Sequence, residues 1–276
     1  MPEVTVYMPT KNRSALLLRA VSSVMTQTFE DWELIVVDDH STDDTPRLLE
    51  DLAALDPRIR FIRQPASLGG CAARNLAINH ATGTFITGLD DDDMFLPTRI
   101  EDLLAPAREG QPIIGGCDLF WSRTGQRKIR RPRHITYKMQ VTRNYLGNQI
   151  LTRTEYMQSV GGFDTSLPAL QDYDVWNRLV KKYGPAVAVQ SFNHIMFGND
   201  HIPRISTNRQ KQIDGWAMFY DKHHADMTWR DRHLHTARRL VLTSRRSAMW
   251  HALLGADFTI FGLKEFLRLA AINPLR

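Results

Sequence analysis

Gly83-Thr84-Phe85-Ile86-Thr87-Gly88-Leu89-Asp90-Asp91-Asp92-Asp93-Met94-Phe95-Leu96-Pro97 decides the reading of this 276-residue chain. Its first half is β-rich, and it runs without a spacer into four consecutive carboxylates. A proline then opens a helical pattern. Four acids at a strand's end repel one another unless a cation sits among them. An all-oxygen donor set suits Mg²⁺ or Mn²⁺, ions usually held by one or two carboxylates plus substrate phosphates. The competing reading is a solvated acidic turn, which most charge runs are. The direct join to an apolar strand favours the ion.

Upstream, the same rhythm repeats. Val4-Thr5-Val6-Tyr7-Met8-Pro9 reads as a first strand, followed by the polar turn Thr10-Lys11-Asn12-Arg13-Ser14, with Ser14 as a possible N-cap of a helix carrying Leu17, Ala20, Val21 and Val24. Trp32 to Val37 is apolar almost throughout, as a strand buried on both faces would be, and ends in the polar loop Asp38 to Asp43. A helix to about Leu55, a strand at Ile59 to Ile62, and a helix with Ala72, Ala73, Leu76 and Ala77 follow. Strand, polar loop and helix thus recur four times in the first hundred residues. That pattern predicts right-handed βαβ crossovers and a mainly parallel sheet in an α/β fold. Ligands of such sheets sit at the carboxyl ends of the strands. Three polar loops converge there: Pro9 to Asn12, Asp38 to Asp43 and Asp90 to Asp93. No Gly-x-Gly-x-x-Gly follows the first strand and no Gly-Lys-Ser/Thr loop occurs, which disfavours a dinucleotide oxidoreductase or a P-loop enzyme.

The second half is less regular. Pro112 to Trp121 reads as a strand, the basic Gln126 to Arg133 as an exposed hairpin arm or loop, and Gly147 to Leu151 as a short strand. Gly161-Gly162-Phe163-Asp164 is a turn, and Gln171-Asp172-Tyr173-Asp174 opens a helix to about Tyr183 with its acids in the first turn, where they complement the helix dipole. Val187 to Gln190 and Asn193 to Phe197 are the last strands expected.

Composition sets the outer bounds. An apolar fraction of 43% and a charged fraction of 24% are those of a globular chain large enough for one α/β domain with an appendage. Cys71 and Cys117 lack metal-type spacing, as in reduced cytosolic proteins, and a strand beginning at Val4 leaves no room for a signal peptide. The longest apolar run, Ala248 to Leu263, is broken by His251 and Asp257, so no membrane span is expected. The net charge of +5 is uneven: Trp229 to Arg276 holds nine Lys/Arg against three Asp/Glu, leaving the body near neutral. Basic residues beside Trp, Phe and Leu in this tail suit a helix at an anionic membrane surface, a helical pair packed on the protein, or a homo-oligomer contact. Nucleic-acid binding lacks the interleaved aromatics and motif it would need.

These residues, in this order, resemble family 2 glycosyltransferases of the GT-A fold, and within them bacterial exopolysaccharide or O-antigen transferases of the colanic-acid type. Met8 to Arg13, Val37 to Asp43, Ala73-Arg74-Asn75 with Ala81-Thr82-Gly83, Asp90-Asp91-Asp92 as the Asp-x-Asp motif, Gly161 to Asp164 and Gln171 to Asp174 carry the resemblance. It implies a GT-A domain over residues 1–210, with a nucleotide-binding half (1–110) and an acceptor-binding half (111–210), and a helical extension over 211–276. It implies a metal-dependent, inverting transfer of a sugar from a nucleotide-sugar, most readily a UDP-sugar, to a saccharide or lipid-linked acceptor in cell-surface polysaccharide biosynthesis. The setting implied is cytoplasmic, at the inner face of the membrane. Asp92 then becomes the direct Mn²⁺ or Mg²⁺ ligand, with Asp90 and Asp91 orienting the ribose or reaching the ion through water. Asp93 either joins them or caps the next helix. Asp39 accepts the uracil ring N–H, and Pro9, Thr10 and Asn12 line base and ribose, although Thr10 and Asn12 also suit an ordinary turn. Arg74 steadies the acids or the diphosphate, or forms a plain salt bridge. His201, in His201-Ile202-Pro203-Arg204, resembles the late loop in which a His or Arg reaches the metal and pyrophosphate, although a lone His is more often structural. Asp172 is the general base, and Asp174 is structural. Glutamine at 171, where the family usually has glutamate, leaves a base at Asp172 intact. The pairs His223/His224 and His233/His235 show no partner acids and read as surface. A non-catalytic nucleotide-sugar-binding scaffold is the alternative function.

Overall fold

The structure, a computed structural model, describes residues 1–198 and 208–241. His201 and the tail beyond 241, including Ala248 to Leu263, lie outside the described residues.

Val4–Thr10 (β1), Trp32–Asp38 (β2), Ile59–Arg63 (β3) and Phe85–Gly88 (β4) alternate with Ser14–Met25 (α1), Thr45–Leu55 (α2) and Gly70–His80 (α3). Then come Met94–Phe95 (β5), Arg99–Arg108 (α4), Ile113–Ser122 (β6), Gly125–Ile129 (β7), His134–Ile135 (β8) and Tyr137–Thr142 (α5). Leu151–Arg153 (β9), Thr154–Ser159 (α6), Gln171–Tyr183 (α7) and Ala186–Phe197 (β10) follow, and Arg209–His223 (α8) and Trp229–Val241 (α9) end the described chain. One sheet runs β3-β2-β1-β4-β9-β6-β10-β5, with β7 on β6 and β8 on β10.

The first four strands are parallel, as the βαβ rhythm requires. Their two faces follow the period of two along each strand. Val4, Val6 and Met8 of β1, with Trp32, Leu34 and Val36 of β2, join one core with α1 and α4 residues such as Leu17 and Leu103. Tyr7, Ile35 and Val37 point into a second core with Ala73 and Ala77 of α3 and Trp176 of α7.

The second half departs from a mainly parallel sheet. β9 lies antiparallel to both β4 and β6, so the sheet is mixed and continuous across residue 110. The expected strand at Gly147 to Leu151 is shifted: Gly147 takes a φ of 78° in a bend, and pairing begins at Leu151. The two expected last strands are one, β10, whose register against β6 shifts on either side of Phe192. The basic arm does form a hairpin, β6–β7. Arg13, not Ser14, holds the N-cap position of α1, without a side-chain cap.

Helix α8 and the turn after it pack Phe219 and Met227 against Tyr173 of α7 and Val141 of α5. Two of the four histidines read as surface are therefore inside. His223 is buried with Nε2 2.8 Å from Asp174 Oδ1, and His235 is buried with Nε2 2.8 Å from the Val141 carbonyl. The sequence shows no partner acid because Asp174 lies on α7, forty-nine residues away. Burial pushes the His235 pKa down to about 3, so this imidazole stays neutral.

Gly88 closes β4 just before the acids. A methyl added there would lie 2.4 Å from the buried Tyr7 ring and 2.2 Å from Gln149 Oε1. Gly88→Ala is therefore expected to cost about 1–3 kcal/mol of stability by overpacking, read as a lower urea midpoint at unchanged m-value.

Candidate active site

The carboxyl ends of β1, β2 and β4 lie side by side, with Thr10 opposite Asp38 and Tyr7 opposite Gly88. Backbone and side chains stitch the loops that leave them. Asp39 N–H donates to the Thr10 carbonyl at 2.9 Å, Asn12 N–H to Ser41 Oγ at 2.8 Å, and Thr42 N–H to Asn12 Oδ1 at 2.7 Å. Asn12 and His40 hold left-handed φ values of 52° and 63° in these loops, and Leu170 does so at 65° just before α7. Such residues cost on the order of 1–3 kcal/mol each and persist only where surrounding contacts over-determine them.

The four acids turn tightly, with Asp93 N–H donating to the Asp90 carbonyl at 3.0 Å. Asp90 accepts from Arg74 Nη2 at 2.6 Å. Asp91 accepts from Thr10 Oγ1 at 2.8 Å and Arg13 Nη1 at 2.9 Å, and the same Arg13 nitrogen is 3.6 Å from Asp92 Oδ2. Arg19 reaches the Asp92 carbonyl at 2.6 Å. Asp93 is not a helix cap: its Oδ1 accepts the Phe197 N–H at 3.2 Å and its Oδ2 is 3.5 Å from His194 Nε2. His194 in turn meets Asp118 at 2.9 Å, and Arg131 bridges to the same carboxylate. His194 and its two acids come from β10, the acid turn and β6, so only the folded sheet brings them together.

Charge follows geometry. Burial alone would raise Asp90, but the Arg74 guanidinium outweighs it and holds the carboxyl below the usual range. Burial wins at Asp91, pushing it up to about 6 despite Arg13, and it raises Asp93 as well. Asp118, next to His194 and Arg131, falls to about 2 although burial opposes that.

Asp172 stands in the first turn of α7, across from the acid turn. Burial lifts its carboxyl to about 6, with Arg74 and Asp90 near enough to act on it electrostatically. Asn144 Nδ2 donates to Asp172 Oδ2 at 3.3 Å, and the Asn144 side chain is itself fixed by Gly147 N–H and the Gln140 amide. Gln171 donates its amide to the Leu167 carbonyl at 3.1 Å. A glutamate could not make that bond, so glutamine here fastens the turn that opens α7. Asp174 is structural: it is fully buried and accepts from Arg178, Lys222 and His223.

Asp39 has work within its own chain. Its carboxylate accepts from Leu68 N–H (2.7 Å), Gly69 N–H (3.1 Å), Ser67 Oγ (2.8 Å) and Gln64 Nε2 (3.2 Å). These four donors fill its acceptor capacity. A nucleobase N–H reaching Asp39 must replace one of them, and the exposed Ser67 hydroxyl is the easiest to displace. Pro9 lies in β1 beside this loop, opposite Val37.

Two further quoted motifs have structural reasons. The Asn75 amide clamps the backbone of Phe163 from both sides at 2.7 Å, and a methyl on Gly162 would meet it at 2.3 Å. Gly83 passes so close to β1 that a methyl would lie 2.6 Å from Thr5 N.

Among the described residues no three His, Cys, Asp or Glu side chains form a ready metal cage. Asp90, Asp91 and Asp93 are each engaged by a cation or donor, and the Arg13 guanidinium also lies 3.6 Å from Asp92 Oδ2. The donors are all hard oxygens. That set fits Mg²⁺ or Mn²⁺ sharing one carboxylate with substrate phosphates, and not an ion held by protein alone.

The sequence profile described as glycosyl transferase family 2 matches residues 5–166. The chain belongs to that family. It is 35% identical over 233 residues to WcaA of Escherichia coli strain K12, a glycosyl transferase named for colanic acid biosynthesis, covering 80% of this chain and 81% of the relative. It is 28% identical over 182 residues to the Escherichia coli UDP-Glc:alpha-D-GlcNAc-diphosphoundecaprenol beta-1,3-glucosyltransferase WfgD, covering 64% of this chain and 70% of that one. The fold is that of the mannosyltransferase PcManGT from Pyrobaculum calidifontis, solved with GDP-Man and Mn²⁺, at a TM-score of 0.65 and 19% identity over 98% of this chain and 80% of that one. This family 2 glycosyltransferase thus has the GT-A fold expected from its motifs.

Arg13, Asn144 and His194 are the site residues that sequence reading missed. Arg13 stood inside a quoted motif and read as turn. Asn144 and His194 carried no local signal.

With a native pKa near 6 against about 3.9 unfolded, Asp172 binds its proton more tightly when folded. Its stabilising protonation is complete below about pH 4 and is lost as pH rises through 6. Asp172→Asn is therefore expected to stabilise the unliganded protein at pH 7 by roughly 1 kcal/mol, after discounting for its partial exposure. The gain should vanish near pH 4, as thermal melts at both pH values will show.

Proposed function

We propose that this glycosyltransferase moves a sugar from a UDP-sugar, with inversion, to a hydroxyl of a saccharide or lipid-linked acceptor in cell-surface polysaccharide assembly. The observation that carries the reading is the carboxylate of Asp172, lifted to about 6 and facing the Arg74–Asp90 pair at the mouth of the acid turn. A base poised just below neutral pH is ionised when needed yet still takes a proton. The substrates in WfgD's name, UDP-Glc and a GlcNAc-diphosphoundecaprenol, support the donor and acceptor classes.

Asp172 receives the acceptor proton as the new carbon–oxygen bond forms at the anomeric carbon. The bond from that carbon to the diphosphate breaks on the opposite face, and the nucleoside diphosphate leaves with the electron pair. Asn144 fixes the orientation of Asp172, and Arg74 aligns Asp90 toward the ribose or diphosphate. Asp39 with Pro9, Thr10 and Asn12 forms the base and ribose side, and Asp91, locked by Thr10 and Arg13, keeps that wall in register. Asp92 holds Mn²⁺ or Mg²⁺, which when bound offsets the charge gathering on the leaving diphosphate. His201 is proposed to approach the same phosphates. Residues 1–110 serve the donor, 111–210 the acceptor, and 211–276 form the extension. Its described part packs on α5 and α7. Among the described residues no helix is long and apolar enough to cross a membrane, and we place the enzyme at the cytoplasmic membrane face through its acceptor.

Asp92→Asn should abolish Mn²⁺-dependent UDP binding in calorimetry; unchanged affinity would move the ion elsewhere. For Asp172→Asn, UDP affinity should hold while turnover falls about a hundred- to ten-thousand-fold. The wild-type rate should fall off below about pH 6. A panel of nucleotide-sugars with Mn²⁺, scored for nucleotide release, identifies the donor. No release from any sugar, with or without acceptor, would overturn the proposal.

A further inference from the structure

From Leu119 to Arg153 the chain contains nine Lys/Arg and no Asp or Glu. This run supplies the β6–β7 hairpin, β8, α5 and β9. On the hairpin Arg123, Arg127, Lys128 and Arg130 are exposed, and Arg133 is exposed just after it. Some of these cations lie over rings, and among the described residues not against acids: Arg127 over Phe120, and Lys128 and Arg130 over Phe192 at 5.1 and 5.0 Å. Aromatic faces steady the side chains while leaving their charge uncompensated.

Beside these charges stands an aromatic pair. Trp121 is 49% exposed and stacks on Phe197 at 6.0 Å between ring centroids. Trp121 pairs with Phe197 in the sheet, and the Phe197 N–H donates to Asp93. The hairpin end is therefore one strand away from the acid turn, on the same edge where donor and acceptor must meet. Keeping an edge strand from aggregating takes only a charge or two. An acid-free run of this length goes well past that need.

We propose that the β6–β7 hairpin is a docking surface for an anionic lipid bilayer. Arg127, Lys128 and Arg130 meet the headgroups, and Trp121 with Phe197 sits at the interface beside the active-site edge. Positive charge suits an anionic surface, and an exposed indole backed by a second ring suits the boundary between headgroup and acyl chain. The choice of a membrane over another polyanion rests on the lipid-linked acceptor proposed above. Docking at this edge would present such an acceptor's diphosphate and first sugar to Asp172 while its lipid stays in the bilayer. The hairpin is a different segment of the sequence from the basic tail, Trp229 to Arg276.

Vesicle co-sedimentation of the full chain tests it, with phosphatidylcholine alone and with phosphatidylglycerol added. Binding should require the anionic lipid and weaken with salt. Each Lys or Arg near such a surface is worth about fivefold in partitioning, so R127Q/K128Q/R130Q should lower it on the order of a hundredfold. Trp121→Ser should remove most quenching of tryptophan emission by brominated lipid. The separate pair R123Q/R133Q should weaken binding by a smaller factor, which guards against one misfolded variant deciding the matter. Melting temperature and donor-only nucleotide release should be unchanged in all of them. Wild-type affinity for vesicles in the triple variant would overturn the proposal, as would tighter binding to heparin or an RNA oligonucleotide than to vesicles. Nucleotide release absent from the wild type, with vesicle binding intact, would instead sink the transferase reading and leave this surface standing.

Discussion

Four consecutive carboxylates can share one turn only if their mutual repulsion is met from outside, and here three different elements meet them. Arg74 comes from α3 to Asp90, Arg13 from the β1 turn to Asp91 and the edge of Asp92, and His194 from β10 to Asp93. Arg19 of α1 holds the Asp92 carbonyl. The turn is thus the point where both halves of the chain are tied together, and its geometry depends on all of them being folded. Burial competes with pairing at Asp90, Asp91 and Asp93. Where a guanidinium wins, as at Asp90, the carboxyl is held ionised, and where burial wins, as at Asp91, it is lifted.

The same competition sets the chemistry opposite. Among the described residues no guanidinium bonds Asp172; the Asn144 amide and the Tyr173 backbone N–H meet it, and burial lifts its carboxyl to about 6. Asp174, two residues along the same helix, is met by Arg178, Lys222 and His223 and stays low. Two acids in one helical turn therefore do different work: one fastens α8 to α7 and the other remains able to exchange a proton. The fully buried Asp174 clamp also fixes the helix that carries Asp172, so rigidity and reactivity sit side by side.

Several family motifs turn out to be packing devices. Asn75 locks the Gly162-Phe163 turn, and Gly83 is small because β1 runs against it. Their presence in the sequence reports the fold. Asp90 to Asp93 and Asp172 are different, because acids placed at the end of a buried strand or in the first turn of a buried helix cost stability unless something compensates them.

Local pattern alone determined a good deal. The period-two strands β1 to β4, their intervening helices and the acids at the β4 end follow from residue spacing, since parallel βαβ units leave few other arrangements. The convergence of three polar loops on one edge follows from the same rule, and so does the assignment of Asp172 and Asp174 to one helical turn. Tertiary structure decided the rest. β9 inserts antiparallel between β4 and β6, a choice made by long-range pairing that no local period encodes. His223 and His235 looked like surface residues because their partners, Asp174 and the Val141 carbonyl, are distant in sequence. Likewise Arg13, Asn144 and His194 found their acids, Asp91, Asp172 and Asp93, only when the folded sheet brought the turn after β1, the loop after α5 and β10 to them. Periodicity specifies which face a residue takes, whereas the partner across a buried charge is fixed only when the whole sheet closes.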